Sequence, residues 1–141
     1  MIEIIKFNKD NEARYRQALE IRKKIFIDEQ QVPVEMEVEN EEQATYYLML
    51  LDGKAIGTAR WRETEKGIKL ERFAVLNEYR NKGLGTAMLK KVLSDLKGKN
   101  KSVYLHSQLP AIPYYEREGF EKRGAMFEEA GILHYTMTLK R

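Results

Sequence analysis

Leu70-Glu-Arg-Phe-Ala-Val-Leu-Asn-Glu-Tyr-Arg-Asn-Lys-Gly-Leu-Gly-Thr-Ala87 is the stretch whose reading decides the fold. An apolar strand-like run ends in a loop carrying Arg80, Asn81, Lys82, Gly83 and Gly85, and the loop opens a helix. This arrangement suits a pyrophosphate. Glycines let the backbone approach closely, N–H groups point outward at the helix start, and the helix dipole there favours negative charge. Arg80 and Lys82 add positive charge. The same pattern also fits a helix start whose glycines serve only turn geometry. It lacks the Lys-Ser/Thr of a P-loop and the three glycines of a dinucleotide fold, and no βαβ unit surrounds it.

Downstream, Leu84, Ala87, Met88, Leu89, Val92, Leu93 and Leu96 share one broad face, which predicts an amphipathic helix over 83–96 closed by Gly98. A strand over 102–107, a short helix over 110–118, a strand re-entered at Gly119-Phe120 and a last strand over 132–139 follow. Upstream, residues 44–51 and 54–61 flank Asp52-Gly53, the strongest short-range hairpin signal in the chain. With a further strand over 68–76 they read as an antiparallel meander. A short first strand lies near Ile2 and Ile4. A helix capped by Asp10 runs to about Gln30, where Val32-Pro33 opposes its continuation. The acidic stretch 33–43 reads as a solvated loop, or else as a substrate-facing segment whose carboxylates attract a cationic amine.

The 141 residues fit one domain, 1–141, with no repeat or linker to divide it. Net charge is only +3, with basic and acidic residues interspersed, which argues against a nucleic-acid binder. The absence of cysteine excludes disulfides and thiol catalysis. His106 and His134 show no ligand spacing, so no metal is expected. No stretch approaches the roughly 18 apolar residues of a membrane span. The N-terminus has no signal-peptide pattern, and a cytoplasmic protein is the expectation.

Two linked motifs carry a family resemblance. Arg80-Asn-Lys-Gly-Leu-Gly85 resembles the Gln/Arg-x-x-Gly-x-Gly/Ala acetyl-CoA motif of the GNAT superfamily of N-acetyltransferases. Gln108-Leu-Pro-Ala-Ile-Pro-Tyr-Tyr-Glu-Arg-Glu-Gly-Phe120 is similar to its Asn-x-x-Ala-x-x-x-Tyr-x-x-x-Gly-Phe block, with Gln108 where Asn is commoner. Ile21 to Pro33, Gly57-Thr-Ala-Arg60 and Phe127 to His134 resemble a bacterial subgroup of mostly uncharacterised members, so the likeness covers nearly the whole chain.

The resemblance implies an α/β (α+β) fold with a mixed, mostly antiparallel sheet of six to seven strands, splayed at strands 4 and 5 and flanked by about four helices. It implies acetyl-CoA as acyl donor, with the pantetheine arm along Phe73, Ala74 and Val75. The pyrophosphate would rest on Arg80, Asn81, Lys82, Gly83, Leu84, Gly85 and Thr86, with Gln108 and Ala111 as further contacts. Tyr115 matches the tyrosine that acts as general acid toward the coenzyme A sulfur; the plain alternative is a core aromatic beside Tyr114. Glu71 stands where some members place a general base, and strand alternation puts it on the face of Phe73 and Val75; the alternative is an ion pair. Arg22, Glu29, Gln30, Arg60 and His134 are substrate-side candidates, with Arg22 or Arg60 able to clamp a phosphate. The implied activity is acetyl transfer to a primary amine by direct attack, the acceptor being a small molecule such as an amino-sugar phosphate or polyamine. A protein lysine and a non-catalytic acetyl-CoA sensor are the alternatives. Many members dimerise, which makes a homodimer through a strand edge near the C-terminus an expectation.

Overall fold

A computed structural model describes residues 1–37 and 39–140, without the side chains of Glu35 and Met36. Seven strands form one sheet in the order β1-β2-β3-β4-β5-β7-β6. They are β1 (Ile2–Phe7), β2 (Thr45–Leu51), β3 (Lys54–Thr64), β4 (Gly67–Val75), β5 (Val103–Gln108), β6 (Phe120–Glu129) and β7 (Ile132–Leu139). All neighbours are antiparallel except β4 and β5. The parallel pairing covers only Ile68–Leu70 against Val103–Leu105. Beyond it β4 and β5 part, which is the splay the family resemblance implies. Among the described residues no helix is long and apolar enough to cross a membrane.

The two faces are covered by different helices. Met88, Leu89, Val92 and Leu96 of α3 (Leu84–Leu96) pack with Tyr47, Ile68, Leu70 and Leu105. Ala18 and Ile21 of α1 (Glu12–Arg22), with Ile25 beyond it, pack with Tyr46, Leu48, Leu50 and Ala74 on the other face. Period-2 alternation along β2 sends Tyr46 and Leu48 to one face and Tyr47 and Met49 to the other, so this strand is buried on both. Trp61 is core, its Nε1–H donating to the Tyr47 hydroxyl at 3.2 Å.

Four local features differ from the sequence expectation. The cap of α1 is Asn11, whose side chain accepts from the Arg14 N–H at 3.3 Å, rather than Asp10. The helix does run to Glu29, but Lys23–Glu29 is wound as a π-helix, whose wider turn is common beside functional sites. The acidic stretch is not simply solvated: α2 (Val34–Glu37) lies within it, and Glu37 and Glu41 are buried. Val38 lies outside the described residues. Lastly, Thr58 pairs with Ala74 and Arg60 with Glu71, so Arg72 and Phe73 together oppose Ala59. This bulge, with Arg72 at φ +55°, resets the alternation. Glu71 therefore shares a face with Ala74, Thr58 and Arg60, not with Val75.

Candidate active site

The splay of β4 and β5 leaves two cavities that meet. The larger, about 340 Å³, is walled by β4, β5 and β7 with Phe26 and Gln30 from the π-helical segment and its end. The smaller, about 120 Å³, runs along Ala74 and Val75 to Gly85 at the head of α3. Phe73 and Tyr115 line both. Tyr115 comes from α4 (Ile112–Arg117), which follows a 3₁₀ turn over Leu109–Ala111.

The phenol of Tyr115 has the attributes of a proton donor. Its ring stands edge-on to Tyr114 and Phe120, which fixes its direction. Among the described residues no fully buried side-chain N or O lacks a partner. Tyr115 has no hydrogen-bond partner among the described residues and lines both cavities, so its hydroxyl opens into them. Burial, with Tyr114 adding, pushes its pKa above that of an ordinary phenol, which keeps the proton in place at neutral pH. Tyr114, by contrast, receives a hydrogen bond from the Thr86 hydroxyl at 3.2 Å.

At the mouth of the smaller cavity the chain turns through Asn81 at φ +64° and Gly83 at φ +78° before α3 begins. No side chain caps this helix, so its first N–H groups are left without an acceptor from the cap. A Cβ added at Gly83 or Gly85 would meet nothing within 4 Å, so there is open space beside both glycines. The uncapped helix start and the space beside Gly83 and Gly85 suit an anionic group such as a diphosphate, and Gly85 lines the smaller cavity. Arg80 is already engaged: its Nε–H donates to the Val75 carbonyl at 2.9 Å, and Nη2 bridges both oxygens of Glu29 at 3.1 and 3.2 Å.

The larger cavity collects Glu71, Gln30, Gln108, Ala111 and His134 from the sequence candidates. The amide of Gln108 donates to Gln30 Oε1 at 2.8 Å, tying β5 to the end of the π-helix. His134, opposite Gln108 in the β5–β7 register, is 7% exposed and stacks on Phe127 at 5.7 Å.

Arg22 and Arg60 do not reach either cavity. Both are 1% exposed and clasp carboxylates behind the wall. Arg22 donates to Glu37 Oε2 at 2.7 Å and to both oxygens of Glu41 at 2.9 and 3.0 Å. Arg60 donates to Glu71 Oε2 at 2.8 Å and to the Glu39 carbonyl at 2.8 Å, and also holds Glu41. Guanidiniums so committed are the studs of a buried network, not phosphate clamps. Glu71 is their cavity-facing end: Arg62 and Lys69 hold its Oε1 at 3.0 and 3.2 Å. Burial pushes its pKa up, but Arg60, Lys69 and Arg62 outweigh that and leave it below the ordinary carboxylate value. A carboxylate held so firmly ionised is a poor base. Glu29 sits at the surface with Arg80.

Sequence reasoning missed Glu37 and Glu41, because an acidic run reads as solvated until two buried arginines are placed beneath it. It also passed over His106 and Glu129, which line the larger cavity with Nδ1 and Oε2 3.4 Å apart. Alternation from Gln108 gives His106 the same face.

These features coincide with what sequence and fold comparison give. Residues 10–141 match the acetyltransferase (GNAT) domain family. The chain is 33% identical over 132 residues to YjcF of Bacillus subtilis, an uncharacterised N-acetyltransferase, covering 90% of this chain and 93% of that one. It is 34% identical to YyaT of the same organism over 90% and 89% of the two chains. The fold is shared with an acyl-CoA N-acyltransferase from Pseudomonas aeruginosa (TM-score 0.90, 21% identity, 99% and 100% coverage). A PaiA N-acetyltransferase from Thermoplasma acidophilum solved with coenzyme A shares it at TM-score 0.72, 17% identity and 100% and 99% coverage. The protein belongs to the GNAT family and is an acyl-CoA-dependent N-acyltransferase.

Proposed function

We propose that the protein acetylates a primary amine of a small molecule, with acetyl-CoA as donor, by direct attack of the amine. The observation that carries this is the wall shared by the two cavities, where Phe73 and the unpartnered phenol of Tyr115 stand between the pantetheine groove and the larger cavity. Acetyl-CoA supplies an activated thioester. Phe73, Ala74 and Val75 pair with its arm, and the amides of the Arg80–Thr86 loop hold its diphosphate. Tyr115 gives its proton to the leaving sulfur, and the Phe73 or Val75 N–H polarises the carbonyl.

The acceptor occupies the larger cavity. With Arg22 and Arg60 committed to carboxylates, and Arg62 and Lys69 paired with Glu71, the groups left at its rim include the exposed Glu39 and the half-buried Glu129, which favours a cationic acceptor such as a polyamine over an amino-sugar phosphate. A homodimer would use β6, the last strand of the sheet; size-exclusion chromatography with light scattering reads its mass directly. Thiol release from acetyl-CoA, followed across polyamines, amino sugars, amino-sugar phosphates and lysine peptides, tests the acceptor class. Turnover confined to the lysine peptides would overturn the small-molecule reading.

A further inference from the structure

The reaction needs a group that takes a proton from the amine, and the ion-paired Glu71 is ill suited to it. We infer that His134 is the general base of the acyl transfer, its Nε2 facing the amine in the larger cavity while Nδ1–H is anchored to the backbone. This inference rests on the acyltransferase reading and adds a residue to it.

His134 Nδ1 lies 2.7 Å from the carbonyl oxygen of Ile132. A carbonyl only accepts, so Nδ1 carries the hydrogen and the lone pair resides on Nε2. Nε2 has no partner among the described residues, yet no fully buried side-chain N or O there is left unpaired. The Nε2 edge is therefore reached from the cavity that His134 lines together with Tyr115. Phe127 stacks on one face of the ring and the β5 strand lies alongside, so the imidazole is held in one orientation. The charged and titratable groups lining the same cavity include Glu129 from β6, His106 from β5, Lys69, Glu71 and Arg72 from β4, Arg62 from β3, Tyr115 from α4, and Glu37 and Glu39. Glu129 is drawn down to about 2, first by its hydrogen bond with His106, against burial, with Lys69 assisting. It stays anionic and stabilises an imidazolium nearby.

The neutral amine attacks the thioester carbon, forming C–N as its N–H proton passes to Nε2. The C–S bond breaks and the sulfur takes the phenolic proton of Tyr115. The imidazolium then returns a proton to the phenolate through water, so amine and acetyl-CoA give amide and free thiol.

Two readouts decide the matter. Long-range ¹H–¹⁵N spectra of the labelled protein, with H134Q and H106Q for assignment, are expected to show His134 with Nδ1 protonated and Nε2 bare at neutral pH. The opposite tautomer would overturn the proposal without any acceptor being known. Thiol release from acetyl-CoA with spermidine or glucosamine 6-phosphate is expected to fall about 100-fold or more in kcat in H134Q. The acid limb of kcat/KM disappears in that variant, and added imidazole restores part of the rate in H134A. Wild-type turnover by H134Q would remove His134 from the mechanism and leave the acyltransferase reading intact. Loss of acetyl-CoA binding by the wild-type protein would instead remove the reading beneath it.

Discussion

Tyr114 and Tyr115 are sequence neighbours whose rings meet edge-to-face at 5.0 Å, and their hydroxyls have opposite fates. The Tyr114 oxygen is tied to Thr86 at the head of α3, while the Tyr115 oxygen has no partner among the described residues and lies at the junction of two cavities. One secures α4 to α3; the other is available for chemistry.

Removing the Tyr115 hydroxyl therefore costs rate and not fold. Y115F is expected to lower kcat by about 100-fold or more while leaving acetyl-CoA affinity and melting temperature near wild type. Y114F should change kcat little. Steady-state thiol release on both variants checks this, and a protein that merely senses acetyl-CoA would show no difference between them.

Arg22, Glu37, Glu41 and Arg60 form a buried lattice whose members are each at most 7% exposed. Glu41 alone accepts from Tyr15, Arg22 and Arg60. Deleting one partner strands a desolvated charge, so E41A or R22A is expected to lose about 3–5 kcal/mol in urea unfolding. A loss under 1 kcal/mol would contradict the lattice.

Glu71 gives the pH dependence. Its folded pKa is depressed, so its pairing stabilises the protein fully above the unfolded carboxylate value and is lost as pH falls through the folded one. E71Q should thus be less stable than wild type at neutral pH, and the two curves should converge in acid. Thermal melts from pH 3 to pH 8 would show the gap close; a gap that widened toward low pH would contradict a depressed Glu71 pKa.

Arg80 is paired with Glu29 beside the proposed diphosphate site. Because the pair is half-exposed, it is worth about 0.2–1 kcal/mol, and freeing Arg80 by E29Q should tighten acetyl-CoA binding by up to about fivefold. R80A should weaken binding and flatten its salt dependence. Titrations at two ionic strengths separate the two effects.

Most of the fold was legible because its signals are local. Asp52-Gly53 adopts φ +47° and +84° between two paired strands, and the 83–96 periodicity became α3 almost to the residue. What was not legible depended on partners distant in sequence. The alternation that put Glu71 beside Phe73 and Val75 was undone by a bulge set by pairing with β3. Arg22 and Arg60 look like surface or substrate charges until Glu37, Glu41 and Glu71 are brought to them across the fold. His134 was visible as a candidate, but its tautomer is a property of the Ile132 carbonyl and only geometry reveals it.

Acyl transfer by this protein requires an acyl-CoA bound in the groove between β4 and β5. Calorimetric titration of the protein with acetyl-CoA, with ATP as comparison, tests it most directly. Micromolar, one-to-one binding of acetyl-CoA with ATP inert is the predicted result. No heat with acetyl-CoA or any longer acyl-CoA would contradict it.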